Sequence, residues 1–195
     1  MDFANTQLLV RAKITTGNGY DIIDADHVGE VNLFLHSLFQ QVDVFLNDVQ
    51  VSQSVGTYAY RAYIESLLSC GPQAKISQLT ATLYYKDTAG NMDCPNPDHA
   101  NAGETNYGLQ KRAAFTKRSA TVDMIGCIHS DIFFQDRYML NEVSVKVRLV
   151  RNKESFCLMS AQANPSYKVK LISAVLLVRK VQLTPSVFLA HAKAL

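Results

Sequence analysis

The sequence predicts an all-β protein, an antiparallel sandwich or barrel of about eight strands with one helix inserted between the third and fourth. Three observations carry this. Segments alternating apolar and polar residues recur along the chain, turn-forming residues separate them at short intervals, and strands and helices do not alternate regularly as a parallel sheet requires.

In residues 7–15, Leu8, Val10, Ala12 and Ile14 alternate with Gln7, Arg11 and Lys13, which predicts a half-buried strand with only Leu9 on the wrong face. Gly17-Asn18-Gly19 ends it, because glycine and asparagine readily take the positive φ of a tight turn. Residues 42–46 and 49–52 read as a strand and its return, with Asn47-Asp48 as the turn. Tyr60, Tyr63, Ile64, Leu67 and Leu68 then fall at i, i+3, i+4, i+7 and i+8. That spacing predicts a helix with these five on its core face, Thr57 as N-cap and Gly71-Pro72 as the stop.

Residues 75–85 read as a helical start running into a strand, since Ile76, Leu79, Leu83 and Tyr84 suit a helical stripe and the Thr- and Tyr-rich end suits a strand. Residues 86–109 are rich in Asp, Asn, Gly and Pro, and exceed the roughly 12 to 15 residues of an ordinary connection, so a long exposed loop is expected. Ala120, Val122, Met124, Gly126 and Ile128 share one strand face. Val143, Val145, Val147 and Leu149 alternate with Ser144, Lys146 and Arg148 in the clearest strand of the chain. Asn152-Lys153 is a turn signal, residues 156–159 a short strand and 167–183 a long β-rich run. Pro185 stands where a first helical residue belongs, so 186–195 reads as a helix beginning, with Phe188, Ala192 and Leu195 on one side.

With 195 residues, 48% of them hydrophobic, the chain can bury a substantial core as one domain. Nineteen basic against seventeen acidic residues leave a formal charge of +2, too small for a field that would draw nucleic acid. The pairs Lys111-Arg112, Lys117-Arg118 and Arg179-Lys180 read as solvated surface, so no specific nucleic-acid site is assigned. The N-terminal segment lacks the apolar core of a signal peptide, and the most apolar stretch, 171–178, is far below the roughly 18 residues that suggest a membrane span. Cys70, Cys94, Cys127 and Cys157 form no C-x-x-C pair and read as reduced thiols of a cytosolic or nuclear compartment.

The sharpest chemical arrangement is Cys127, His129 and Asp131, whose i, i+2, i+4 spacing lines up thiol, imidazole and carboxylate on one strand face. Neighbours on such a face lie roughly 6 to 7 Å apart, beyond the roughly 2.6 to 3.2 Å that activates a nucleophile. The three are read as an outward face, and no catalytic residue is assigned. His27, His36, His99, His129 and His191 form no H-x-H pair. Asp87, Asp93, Cys94, Asp98 and His99 share the long loop without the order of a calcium-binding loop, so no metal or cofactor is assigned. G-x-S-x-G, G-x-G-x-x-G and H-E-x-x-H are all lacking, and an enzyme is not expected.

Five segments carry a family resemblance: VNLFLHSLFQQVDVFLND from Val31, YAYRAYIESLL from Tyr58, YYKDTAGNMD from Tyr84, FFQDRYMLNEVSVKVRLVRNKESFCLM from Phe133 and SVFLAHAKAL from Ser186. In order and spread over most of the chain, they are similar to the double jelly-roll major capsid proteins of Polinton/Maverick elements and adintoviruses. The resemblance implies an eight-stranded jelly roll over residues 1–185, the first of two, with 186–195 the start of a helical connector to a second roll. It implies a structural role in a virion capsid assembled in the host nucleus or cytoplasm. The implied partners are further copies, in trimeric pseudo-hexagonal capsomers, and minor capsid proteins. The competing expectation is a single-roll minor capsid or attachment module reading glycans with the loop residues Tyr20 and Tyr107.

Overall fold

Alternation in the sequence becomes pairing in the computed structural model, which describes residues 1–52, 55–99, 101, 103–140, 142–163, 165–182 and 184–194, except the side chains of 188, 191, 192 and 194. Chain order runs β1 (Asp2–Thr16), β2 (Val28–Glu30), α1 (Phe34–Ser37), β3 (Phe39–Leu46), β4 (Val49–Gln50), α2 (Tyr58–Ser69), α3 (Pro72–Ile76), α4 (Tyr107–Thr116) and β5 (Val122–Cys127). It continues with β6 (Val145–Arg151), α5 (Glu154–Cys157), β7 (Leu158–Ser160), β8 (Tyr167–Arg179) and α6 (Pro185–Ala194). Short 3-10 turns lie at Gln78–Thr82, Lys117–Ser119 and Asp131–Phe133.

The fold is mostly β-sheet, and every strand pairing is antiparallel. The sheets are ordered β5-β1-β8, β2-β7 and β4-β3-β6. The pairs β1·β8, β2·β7 and β3·β6 are nested, first strand with last and so inward. Among the described residues the fourth pair of that series is not made: the two-residue β4 hairpins onto β3, and β5 takes the other edge of β1. One core joins the two larger sheets: Leu8, Val10 and Ala12 of β1, Val42 and Val44 of β3, Met124 of β5 and Val169 of β8 share a single buried cluster, an arrangement compatible with a β-sandwich.

The strand readings hold where the period was clean. Leu8, Val10, Ala12 and Ile14 are all at most 2% exposed. Leu9, on the wrong face, pairs with Ile125 on one side and Val175 on the other, so it belongs to an apolar row across the outer face of the sheet. A register shift between Arg11 and Ala12 switches which residues of β8 face outward and leaves Ile172, Val175 and Leu177 exposed. Gly19 has φ +86°, and Asn47 and Asp48 both have positive φ, as the predicted turns require. Pro185 opens α6 as predicted, while the placement of Phe188, Ala192 and Leu195, and of His191, lies outside the described residues.

Other readings change. The buried face of α2 is Tyr58, Ala59, Ala62 and Ser66, whereas Tyr60, Ile64, Leu67 and Leu68 of the predicted core stripe are exposed and only Tyr63 packs, partly. Ala62 packs the helix against Leu33 and Tyr84, a close approach that a large side chain at that position would not permit. Thr57 stands at the N-cap without a side-chain capping bond. The strand expected at the end of 75–85 is not formed. Leu83 takes a left-handed conformation, and Leu83 and Tyr84 turn into the core. Its place in the strand count is taken by β2, which sequence periodicity did not show because it is three residues long. The helix therefore lies between the fourth and fifth strands, and it is not the only one. Residues 154–157 form a helical turn ahead of β7, and residues 107–116, taken partly as loop, form α4.

β6 keeps the predicted alternation, with Val145, Val147 and Leu149 partly buried against the core and Lys146, Arg148 and Val150 outward. Val145→Asp is expected to cost about 2–3 kcal/mol by thermal melting, because a carboxylate would sit among apolar groups without a partner. Lys146, whose ammonium lies over the exposed face of Phe45, should tolerate Asp with a loss below about 1 kcal/mol. Equal losses would refute the facing.

Candidate functional site

The chain brings two of the three residues singled out for chemistry together and replaces the third. Cys127 Sγ lies 3.9 Å from His129 Nε2, but the ring's other nitrogen, Nδ1, is held at 2.7 Å by Glu65 of α2, not by Asp131. Asp131 turns away to the Arg61 guanidinium at 2.5 Å, and Arg61 also donates to Glu65 at 2.7 Å. Behind them, Tyr58 bridges two histidines: its hydroxyl lies 3.0 Å from His36 Nδ1 and accepts the His129 backbone N–H at 3.4 Å. The rings of His36 and His129 meet edge to face at 4.7 Å, and Phe134 packs on His129 from another side.

This is the order of thiol, imidazole and orienting carboxylate used in nucleophilic catalysis. The electrostatics oppose that use. Cys127 is exposed as a residue, yet desolvation by the groups packed around it pushes its thiol up, and burial lowers His129, with the Glu65 carboxylate working against it. At neutral pH the pair is held neutral, away from the thiolate–imidazolium form that a reactive cysteine needs. Burial likewise drives His36 well below the ordinary imidazole range and Tyr58 above the ordinary phenol range. The network joins α2 to the end of β5 and to α1, and its clearest consequence is to fix that helix on the sheet. Reactivity of Cys127 relative to Cys157 does not discriminate a catalytic role, since Cys157 is buried and its thiol is pushed up to about 12.

The Glu65–His129 contact spans 64 residues, which is why strand spacing alone could not reveal it. The only local signal was the i, i+4 pair Arg61 and Glu65, which marks the helix face that carries the network.

A second polar centre lies under α4. Arg112 is fully buried and donates to the Glu30 carbonyl at 2.8 Å, the Tyr85 carbonyl at 2.7 Å and the Asp87 carboxylate at 2.8 Å. Its reading as half of a solvated basic pair is thereby corrected. Gly108 makes this approach possible: a Cβ there would lie 2.7 Å from the Lys86 carbonyl oxygen and 2.8 Å from that of Tyr85. Asn106 caps α4, accepting from the N–H groups of Gly108 and Leu109. Glu30, equally buried, has neither carboxylate oxygen hydrogen-bonded, and burial pushes its carboxyl up to about 7 despite the neighbouring Thr116 and Arg112.

The loop residues considered for metal binding are dispersed. Asp87 belongs to Arg112, Asp98 pairs with His27 at 3.1 Å and His99 with Glu104 at 3.2 Å. Among the described residues no group of three or more His, Cys, Asp or Glu side chains is placed to hold an ion. The loop is tied back on itself, for example by Asn91 donating to the Gly103 carbonyl at 2.9 Å. Tyr20 is 74% exposed at a turn, and Tyr107, at the first turn of α4, lines an open groove. No described helix is long and apolar enough to cross a membrane.

Fold and polar centres thus define a mostly-β protein of antiparallel sheets whose buried polar groups chiefly tie elements together. No family model matches the chain, and no solved structure matches it. Among curated proteins it is 26% identical over 164 residues to an uncharacterized protein of Caenorhabditis elegans, a match covering 80% of this chain and 35% of that protein. The chain spans about a third of the length of the curated relative it matches.

Proposed function

We propose that the chain is a capsid building block: the first jelly roll of a double jelly-roll major capsid protein similar to those of Polinton/Maverick elements and adintoviruses. The observation that carries the reading is the nested pairing of β1 with β8, β2 with β7 and β3 with β6. A jelly roll is wired this way, as a long hairpin folded over into two sheets. The departure is the fourth pair, which a complete roll would make between β4 and β5.

Two further features support assembly as the chain's work. Large apolar side chains stand outward on α2, with Leu68 82% exposed, and on β8 at Ile172, Val175 and Leu177, surfaces of the sort that protein contacts cover. Nearly two thirds of the C. elegans relative lies outside the matched region, room for a second roll of this size. A shell protein acts by shape and burial, which accords with polar centres that serve as ties.

Expression of the whole reading frame that contains this chain is expected to give trimers of pseudo-sixfold outline, seen by native mass spectrometry and negative-stain electron microscopy. Residues 1–195 alone are expected to give small oligomers and no closed shell. Uniform closed particles from these residues alone, or a full-length product that stays monomeric, would overturn the reading.

A further inference from the structure

A groove of about 620 Å³, within the size range of ligand pockets, lies between α3 and the start of α4. One wall is α3, with Lys75 and Ile76. The other is the start of α4, with Tyr107 and Lys111, and Leu67 of α2 and Lys86 complete the rim. The lining is mostly apolar, and its large side chains are poorly covered: Ile76 is 72% exposed, Tyr107 48% and Leu67 37%. Three lysines line the groove and no acidic side chain does. Lys75 donates to the Leu67 carbonyl at 2.8 Å, which leaves it further N–H groups to offer.

From this geometry we infer that the groove receives a short acidic segment of another polypeptide, one carrying large apolar side chains between its carboxylates. Charge sets the sign of the occupant, since three ammonium groups without a carboxylate favour an anion. The distribution of that charge sets its form. The lysines come from three separate stretches, α3, the residue after Tyr85, and α4, so they address several negative groups along an extended chain, whereas a single headgroup would engage one end. The apolar lining sets the rest. A sugar would leave Ile76 and Leu67 without apolar partners, but a leucine or phenylalanine side chain would cover them and displace water from both surfaces. Leu67 belongs both to the groove lining and to α2, whose next residue, Leu68, is 82% exposed. This inference does not depend on the capsid reading.

Fluorescence anisotropy of residues 1–195 with a labelled peptide alternating Glu or Asp with Leu and Phe tests it. Saturable binding is expected, weakening with added salt because ion pairs contribute. Lys86→Glu with Lys111→Glu, and separately Ile76→Asp, should each weaken it about tenfold or more, with thermal melting used to show that each variant remains folded. Exposed residues are altered in every case, which limits the effect on folding. A peptide with Lys in place of its acids, or Ser in place of its apolar residues, should not bind. Equal affinity for the Lys peptide, preferential binding of a sialylated oligosaccharide or a single-stranded oligonucleotide, or no saturable binding of the acidic peptide would each overturn the inference.

Discussion

Arg112→Met is expected to destabilise the protein by about 3–5 kcal/mol, measured as a lower urea midpoint with an unchanged slope. Methionine fills similar volume but leaves the Glu30 and Tyr85 carbonyls and the Asp87 carboxylate without the donors that Arg112 supplies at 2.7 to 2.8 Å. Those groups lie where strand β2, the segment 85–87 and helix α4 converge, so one side chain holds three segments far apart in sequence. Each unpartnered buried group carries a desolvation cost of about 1–3 kcal/mol. Lys117→Met, in the neighbouring basic pair and exposed, should change stability by no more than about 0.5 kcal/mol. A loss at Arg112 as small as that control would show that the three contacts do not act on folding.

Glu30→Gln is expected to stabilise the protein, and to do so only at neutral and alkaline pH. The Glu30 carboxyl is pushed up to about 7 by burial. A group whose folded value lies above its unfolded value contributes stability that is fully present below the unfolded pKa and is lost as pH rises through the folded one. For Glu30 the loss therefore spans the range from the ordinary glutamate value to just above neutrality, and by pH 8 the folded chain bears the full cost of an unpaired buried carboxylate. One pKa unit corresponds to 1.36 kcal/mol, so the cost is about 3 kcal/mol. Gln carries no charge and removes most of it. Chemical denaturation at pH 4 and pH 8 should show near-equal stabilities for the two proteins at the lower pH and an advantage of about 2–3 kcal/mol for the variant at the higher. An advantage of the same size at both pH values would mean that packing, not titration, is responsible.

Both centres were hidden in the sequence for a physical reason. Arg112 looked like half of a surface pair because charge and neighbours in sequence say nothing about which helix face turns inward. Helix α4 buries Gly108, Leu109, Arg112 and Thr116, a mixed face with no hydrophobic stripe to detect. The same holds for α2, whose apolar stripe was legible but faces largely outward, while Tyr58, Ala59, Ala62 and Ser66 make the contact. Helical period identifies a face; packing decides which face is used.

The strands were different. In β1 and β6 successive side chains point to opposite sides, so alternation along the chain is alternation between core and solvent, and the sequence by itself determined which residues of these strands turn inward. It determined the turns at Gly19 and Asn47-Asp48 too, because positive φ restricts residue type locally. Partners were beyond its reach. That β1 lies between β5 and β8, that Glu65 rather than Asp131 orients His129, and that Glu30 lies buried beside Arg112 all depend on contacts across 64 to more than 100 residues. Only the tertiary structure decided these, since burial and hydrogen bonding act between groups close in space, and spacing along the chain constrains only groups close in sequence.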